Sequence, residues 1–313
     1  MQRIVTIGGG TGHYQILRGL KNYDCDLTAI VNVCDSGGHS GKLRDEFGVL
    51  PPGDLRQCLV ALANDEKAGD LRDIFDSRLE RNGRASPSLG NLIIGVLEQK
   101  YGRAEAIRRA GNLLGIKGRV LPVSLDDFNI FARLTDDTLL NRQVEVSYKE
   151  SKCRIKEVFA VPTPYIYKEA AEAIRQATKV VICSGDLYGS IIPNFLVKGI
   201  REAIRECDIR VYVCNLVTKQ GNYDFKASDF VKEIETYLKL PLTHIVINTK
   251  RPSKKAERKY LSEKQKFVED DLTKSKIRAK VIGAELLEEY LSERKTILRH
   301  DPIKTARIIM ELL

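Results

Sequence analysis

Apolar residues fall along this chain in two alternating rhythms. Gln2–Ile7 is a continuous β-branched and apolar run; a glycine cluster follows, Gln15–Lys21 reads at helical spacing, and Leu27–Cys34 is again strand-like. Strands buried on both faces lose polar alternation, so this β-turn-α-β opening predicts a parallel sheet. Leu55–Ala63 and Leu89–Gln99 repeat at helical spacing, with Asp54 and Ser88 placed to cap them. Arg119–Ser124, Phe131–Leu134, Gln143–Tyr148 and Arg154–Val161 are close together with short polar gaps and predict an antiparallel β insert over 119–161. The alternation then resumes: helix Glu169–Ala177, strand Lys179–Cys183, helix Ile192–Arg205, strand Arg210–Asn215, helix Ser228–Leu238 and strand His244–Asn248. A last helix, Ile303–Leu313, opens at Asp301 and Pro302, where proline suits helix entry. The expectation is one α/β domain over 1–313, a doubly wound, mostly parallel Rossmann-like sheet with the β insert and a basic, helical C-terminal region over 250–313.

Composition narrows the class. A chain of 313 residues, 43% hydrophobic and 30% charged, can bury roughly 75% of its extended surface and needs no staples. No run approaches the roughly 18 apolar residues of a membrane span, and Met1–Ile7 lacks the pattern of a signal peptide. The seven cysteines contain no C-x-x-C pair, and several sit in apolar runs such as Val180-Val181-Ile182-Cys183. They predict reduced, buried thiols in a cytoplasmic protein. Of the net charge of +9, the window Lys250–Lys280 holds +7, with 12 Lys/Arg against 5 Asp/Glu. It carries no nucleic-acid motif and reads as a solvated helical face, so a nucleic-acid partner is not expected.

Six polar, glycine-bearing segments carry the chemistry. Gly8-Gly9-Gly10-Thr11-Gly12 follows the first strand, where glycines let the backbone approach a phosphate and the next helix offers free N–H groups. His13 at the sixth position breaks the dinucleotide fingerprint, and no G-K-[ST] makes it a P-loop. Cys34-Asp35-Ser36-Gly37-Gly38-His39-Ser40-Gly41-Lys42-Leu43-Arg44 follows the second strand, on the carboxyl-end face where doubly wound sheets bind ligands. Asp35 stands where an acidic residue holds a ribose hydroxyl or binds Mg²⁺ beside a diphosphate; Gly38 and Ser40 belong to the anion-friendly part of the loop. Pro51-Pro52-Gly53-Asp54 is a rigid turn into a helix. Asn91, in Ser88-Leu89-Gly90-Asn91, can bind a base, a ribose or a backbone group. Ser184, Gly185 and Tyr188 lie in a further loop after a strand, and Asn215 and Thr218 in another.

The order of these motifs, with Leu187-Tyr188-Gly189-Ser190-Ile191-Ile192-Pro193-Asn194 and Arg299-His300-Asp301, resembles the gluconeogenesis factor family, which is similar to the 2-phospho-L-lactate transferases. The stretch Cys214–Gly221 with Ala227-Ser228-Asp229 resembles the first branch. That resemblance implies a cytoplasmic regulatory protein that binds UDP-sugars, notably UDP-N-acetylglucosamine, and is tied to carbon metabolism, cell shape and envelope synthesis. It implies no required cofactor, with Mg²⁺ at Asp35 as the one candidate, and contacts to ligand from Tyr260 and Arg299. The protein partner and a homo-oligomer stay open. The chain departs from the family where Asp-Asp-Gly-Gly-Ser-Ser-Gly becomes Asp35-Ser36-Gly37-Gly38-His39-Ser40-Gly41, where Ser86-Pro87 replaces Gly-His, and where Asp186 enters the loop after Cys183. Loss of one carboxylate weakens a Mg²⁺ site. The alternative reading is a Mg-dependent phosphotransferase of the 2-phospho-L-lactate transferase type with Asp35 as its catalytic group; a dinucleotide-binding oxidoreductase is a third.

Overall fold

The computed structural model describes residues 1–81, 84–147, 153–292 and 295–312. Seven strands form the central sheet: β1 (Gln2–Gly8), β2 (Cys25–Val31), β3 (Arg119–Pro122), β4 (Lys179–Ile182), β5 (Arg210–Val213), β6 (His244–Asn248) and β7 (Lys280–Ala284). Their order is β3-β2-β1-β4-β5-β6-β7, and every neighbouring pair is parallel. The chain builds outward from β1 to β2 and β3, then crosses back to place β4 on the other side of β1. That reversal opens a crevice between the carboxyl ends of β1 and β4, the place where open α/β sheets receive ligands.

The apolar runs made these strands because both faces are covered: Ile4, Ile7, Ile30, Val180, Val181, Val213 and Ile245 are buried. Helix α1 (Gly10–Leu20) buries Ile16, Leu17 and Leu20 against the sheet. A Cβ on Gly19 would collide with Pro302 O, so glycine lets the C-terminal helix Pro302–Glu311 lie close on α1. Lys179 Nζ secures that helix by donating to Ile309 O at 3.0 Å and Met310 O at 2.9 Å.

Several elements differ from the sequence expectation. Arg119–Pro122 pairs with β2 as the edge of the central sheet; a four-residue apolar run carries no information about which sheet it joins. The antiparallel sheet consists of Leu139–Asn141, Asn129–Leu134 and Ile155–Val161, with Phe131 and Phe159 stacked at 5.7 Å. Expected strand Gln143–Tyr148 is instead the helix Arg142–Ser147, which buries Val146, and Tyr148 lies outside the described residues. Ile192–Arg205 is broken into Ile192–Phe195 and Ile200–Arg205 around Gly199, whose φ of +99° no other residue adopts readily. The region 250–313 is not wholly helical: between Lys254–Ser262 and Pro302–Glu311 it contains β7 and the antiparallel hairpin Leu287–Ser292 and Lys295–His300.

Three further helices matter to the site. Helix α2 (Gly38–Phe47) starts inside the Asp35 loop, helix α3 (Pro52–Leu62) follows the proline turn, and helix α4 (Leu89–Tyr101) packs beside α3. Ser88 caps α4, accepting from Asn91 N at 3.4 Å. Asp54 does not cap α3: Pro51 holds that position, and Asp54 lies inside the first turn. Ser228 is likewise one residue inside its helix, its Oγ donating to Asp271 at 2.7 Å.

Candidate functional site

A cleft of about 220 Å³ opens at the carboxyl ends of β1, β4 and β5, where the sheet reverses. Gly9, Gly10, Thr11 and Gly12 form one wall, Ser184 and Gly185 a second, and Asn215 a third. Arg299 reaches in from the C-terminal hairpin. Gly9 at the N-cap has no side chain to cap α1; the Asp54 carboxylate takes Gly10 N, and Thr11 and Gly12 of the first turn line the cleft. Glycine is required at position 12 because a Cβ there would collide with Ser184 O, which closes the two loops on each other. Asn215 fixes the third wall: its Nδ2 donates to Gly185 O at 2.6 Å and its Oδ1 accepts from Tyr212 OH at 2.9 Å.

One opposed pair of charges lines the cleft, beside Arg299. Lys219 Nζ lies 2.8 Å from Asp186 Oδ2, so the acidic residue that the sequence puts beside a phosphate loop is matched by a cation. Asp186 Oδ1 also accepts from Gly189 N at 3.1 Å and anchors the π turn Leu187–Ile191. Burial lowers the pKa of Arg299 without discharging it. His300 is buried with Nδ1 3.3 Å from Ser184 Oγ, and burial pulls its pKa to about 4, so it is neutral at pH 7. His13 lies beneath the glycine turn, Nε2 2.7 Å from Thr6 Oγ1, and burial pulls it to about 3. Both imidazoles are packing and positioning groups at neutral pH.

A second acidic region lies under the same turn. The Asp54 carboxylate accepts from Gly10 N, and a Cβ on Gly9 would collide with its Oδ2. Burial, then the neighbouring Asp35 carboxylate, pushes Asp54 up to about 7. Asp35 is also raised, chiefly by burial, while Gly37 N donates to its Oδ1 at 2.9 Å. Among the described residues no group of three or more His, Cys, Asp or Glu side chains has the arrangement of a metal site. A divalent cation at Asp35 would therefore take most of its ligands from phosphates and water.

Of the residues singled out by sequence, the cleft unites Gly9, Gly10, Thr11, Gly12, Ser184, Gly185, Asn215 and Arg299. Asp35 just before α2, and Gly38 and Ser40 in its first turn, lie beside it, and Ser40 Oγ leaves no room for a Cβ on Gly53. The rest turn away. Asn91 is buried and accepts from Arg56 Nε at 3.0 Å. Tyr188 is buried and donates to Glu233 Oε1 at 3.0 Å. Thr218 is fully buried, with its Oγ1 accepting from Lys266 N at 2.9 Å. Tyr260 OH accepts from Leu298 N at 2.9 Å, behind the strand that carries Arg299. Asp186, which the sequence marked as a departure, lines the cleft as well, and Gln15, Ser190, Lys219, Asn222 and His300 line it without having been singled out. All but Gln15 lie in or beside motifs that the sequence already marked.

A family model described as 2-phospho-L-lactate transferase CofD matches residues 4–287. A Thermotoga maritima protein is 40% identical over 313 residues, 98% of each chain. Two relatives named gluconeogenesis factor are similar over nearly full length. The Halalkalibacterium halodurans protein is 36% identical over 99% of this chain and 96% of its own, and the Bacillus subtilis protein is 33% identical over 99% and 98%. A crystal structure of a Bacillus halodurans protein, described as a member of the upf0052 family, superposes with a TM-score of 0.92 at 34% identity, covering 99% of this chain and 100% of its own.

Proposed function

The chain belongs to the 2-phospho-L-lactate transferase CofD family, with relatives named gluconeogenesis factor, and from that premise we propose that it is a cytoplasmic regulatory protein that binds a UDP-sugar such as UDP-N-acetylglucosamine, linked to carbon metabolism, cell shape and envelope synthesis. The observation that carries this reading is the meeting, at the switch point of the sheet, of the glycine turn that opens α1, the Ser184-Gly185 loop and Arg299. The diphosphate lies against the Thr11 and Gly12 end of the glycine turn, because a helix N-terminus offers N–H donors and a positive dipole end to such a group. Arg299 pairs with phosphate oxygens. Tyr260 holds Arg299's strand in place rather than touching ligand, and Asn215 and Thr218 act likewise as loop fasteners. Five of the seven cysteines are buried, which accords with a reducing compartment.

One observation favours the transferase alternative: two raised carboxyls, Asp35 and Asp54, lie next to the glycine turn. In that reading Asp35 would accept a proton from an acceptor hydroxyl or help to hold Mg²⁺, whose charge would offset that of the nucleotide phosphates.

Thermal melts with UDP-N-acetylglucosamine, UDP-glucose, GDP, NAD⁺ and NADP⁺, each with and without Mg²⁺, test the proposal. A ligand at about 100 times its Kd adds about 2.7 kcal/mol. The expected result is a rise with UDP-sugars that Arg299→Ala abolishes. A rise only with GDP and Mg²⁺ would select the transferase.

A further inference from the structure

Among the described residues that line the cleft, Lys219 and Arg299 are the cations and Asp186 is the one anion. The anion sits in the wall that faces the glycine turn: a Cβ on Gly185 would come 3.2 Å from Gly9 O, and Ser184 O leaves no room for a Cβ on Gly12. A diphosphate between these two walls has the Asp186 carboxylate at its edge. The carboxylate is fixed there. Its side chain is 11% exposed, with Oδ2 2.8 Å from Lys219 Nζ and Oδ1 accepting from Gly189 N at 3.1 Å. The Asp186 carbonyl is held as well, accepting from Ser190 N at 2.8 Å and Ile191 N at 3.0 Å. Its charge is felt under the turn, where it adds to the rise of Asp54. An amide oxygen would cap Gly189 N as well as a carboxylate does; what only the carboxylate supplies is negative charge beside a phosphate-sized space.

We propose that Asp186 sets how much negative charge this cleft accepts, admitting a nucleoside diphosphate whose second phosphate is capped by an ester and turning away one that ends in a bare phosphate. The inference rests on the diphosphate reading given above and assigns the selectivity of that site to one residue. The two ligand classes differ by about one charge. A capped diphosphate carries about two negative charges at pH 7, and a bare terminal phosphate, with its second pKa near 6, brings the total to about three. The first two charges meet Lys219 and Arg299; the third meets Asp186. A like charge placed beside a fixed one in a partly closed cleft is repelled, and such repulsion rejects the wrong ligand without tightening the right one.

Calorimetry on the full chain at pH 8, without Mg²⁺ to mask the extra charge, tests this with UDP-N-acetylglucosamine, UDP and the β-methyl ester of UDP, which is capped but carries no sugar. In the parent the methyl ester should bind about 10-fold tighter than UDP, although the two differ by one methyl group. Asp186→Asn, which keeps an acceptor for Gly189 N, should tighten UDP about 10-fold and the two capped ligands by at most about 3-fold, closing the gap. Asp186→Ser, which also removes the charge and can cap the turn, should close it likewise. A methyl ester no tighter than UDP in the parent, a gap that survives in both variants, or an equal weakening of all three ligands overturns the proposal. GDP and its β-methyl ester separate the charge rule from the choice of nucleoside. A gap there that Asp186→Asn closes, with no binding of the uridine ligands, keeps the charge rule and removes the UDP-sugar reading. Tight UDP-N-acetylglucosamine with equal affinities for UDP and its methyl ester does the reverse, and binding of no diphosphate at all removes both.

Discussion

Replacing Asp54 by Asn should make the protein more stable at alkaline pH. Asp54 is 9% exposed beneath the glycine turn, and burial with Asp35 as neighbour lifts it from 3.8 to about 7. A carboxyl raised on folding favours its protonated form in the native state. The stability it contributes is fully present below about pH 4, where both states are protonated, and is lost as pH climbs through about 7. At about 1.4 kcal/mol per pH unit, the whole difference is about 4 kcal/mol. Between pH 5 and pH 8 more than half of it, about 3 kcal/mol, is lost. An Asn oxygen still accepts from Gly10 N and has no proton to lose. Thermal melts of both proteins from pH 5 to pH 8 read the effect. At roughly 2 cal/mol/K per residue of unfolding entropy, the gap in Tm should widen by about 4 °C in favour of the variant. Parallel curves across that range would refute the reasoning, because they would mean that Asp54 ionises in the native state as freely as in the unfolded one. A buried carboxylate that destabilises the fold at working pH, directly under a ligand loop, is what a functional site retains at the expense of stability.

Other perturbations follow from the same geometry. Lys219→Met removes the cation that faces the Asp186 carboxylate, and calorimetry should show UDP-sugar affinity down about 10-fold or more; Asp186→Asn, which removes the negative charge, should hold or raise it. Gly12→Ala drives a methyl into Ser184 O, so the melt should fall by several degrees and the ligand-dependent rise should vanish. Tyr260→Phe removes the acceptor of Leu298 N–H. Hydrogen exchange at Leu298 should quicken and UDP-sugar affinity should drop a few-fold, less than for Arg299→Ala, while kinetic or thermal behaviour far from the hairpin stays unchanged.

The sheet was legible because strands such as Val180–Ile182 and His244–Asn248 are too apolar to be half-exposed, and glycine-bearing loops follow them. The hairpin carrying Arg299 was not. Leu287–Ser292 and Lys295–His300 hold three Leu and two Glu, good helix formers, and they form strands because Leu287 and Leu298 find a small cluster with Leu216, Ala256 and Tyr260. Residues 143–147 failed the opposite way: β-branched composition lost to packing on the insert. In the site, sequence identified loops better than directions. Tyr188, Thr218 and Asn91 lie in marked segments, but each spends its polar atoms on a distant partner (Glu233, Lys266 and Arg56), which only the tertiary fold supplies. Lys219 and Asp186 carry the reverse lesson. Thirty-three residues apart, they meet because β4 and β5 are adjacent and parallel.

A crystal structure of the chain soaked with UDP-N-acetylglucosamine tests the central claim most directly. The account predicts the diphosphate within hydrogen-bonding distance of the Thr11 and Gly12 end of the glycine turn, with Arg299 on a phosphate oxygen and Tyr260 still bonded to Leu298 N. Density for the nucleotide anywhere else, such as the groove between Ile107 and Val120 at the edge of the sheet, or an empty cleft at saturating concentration, would contradict it.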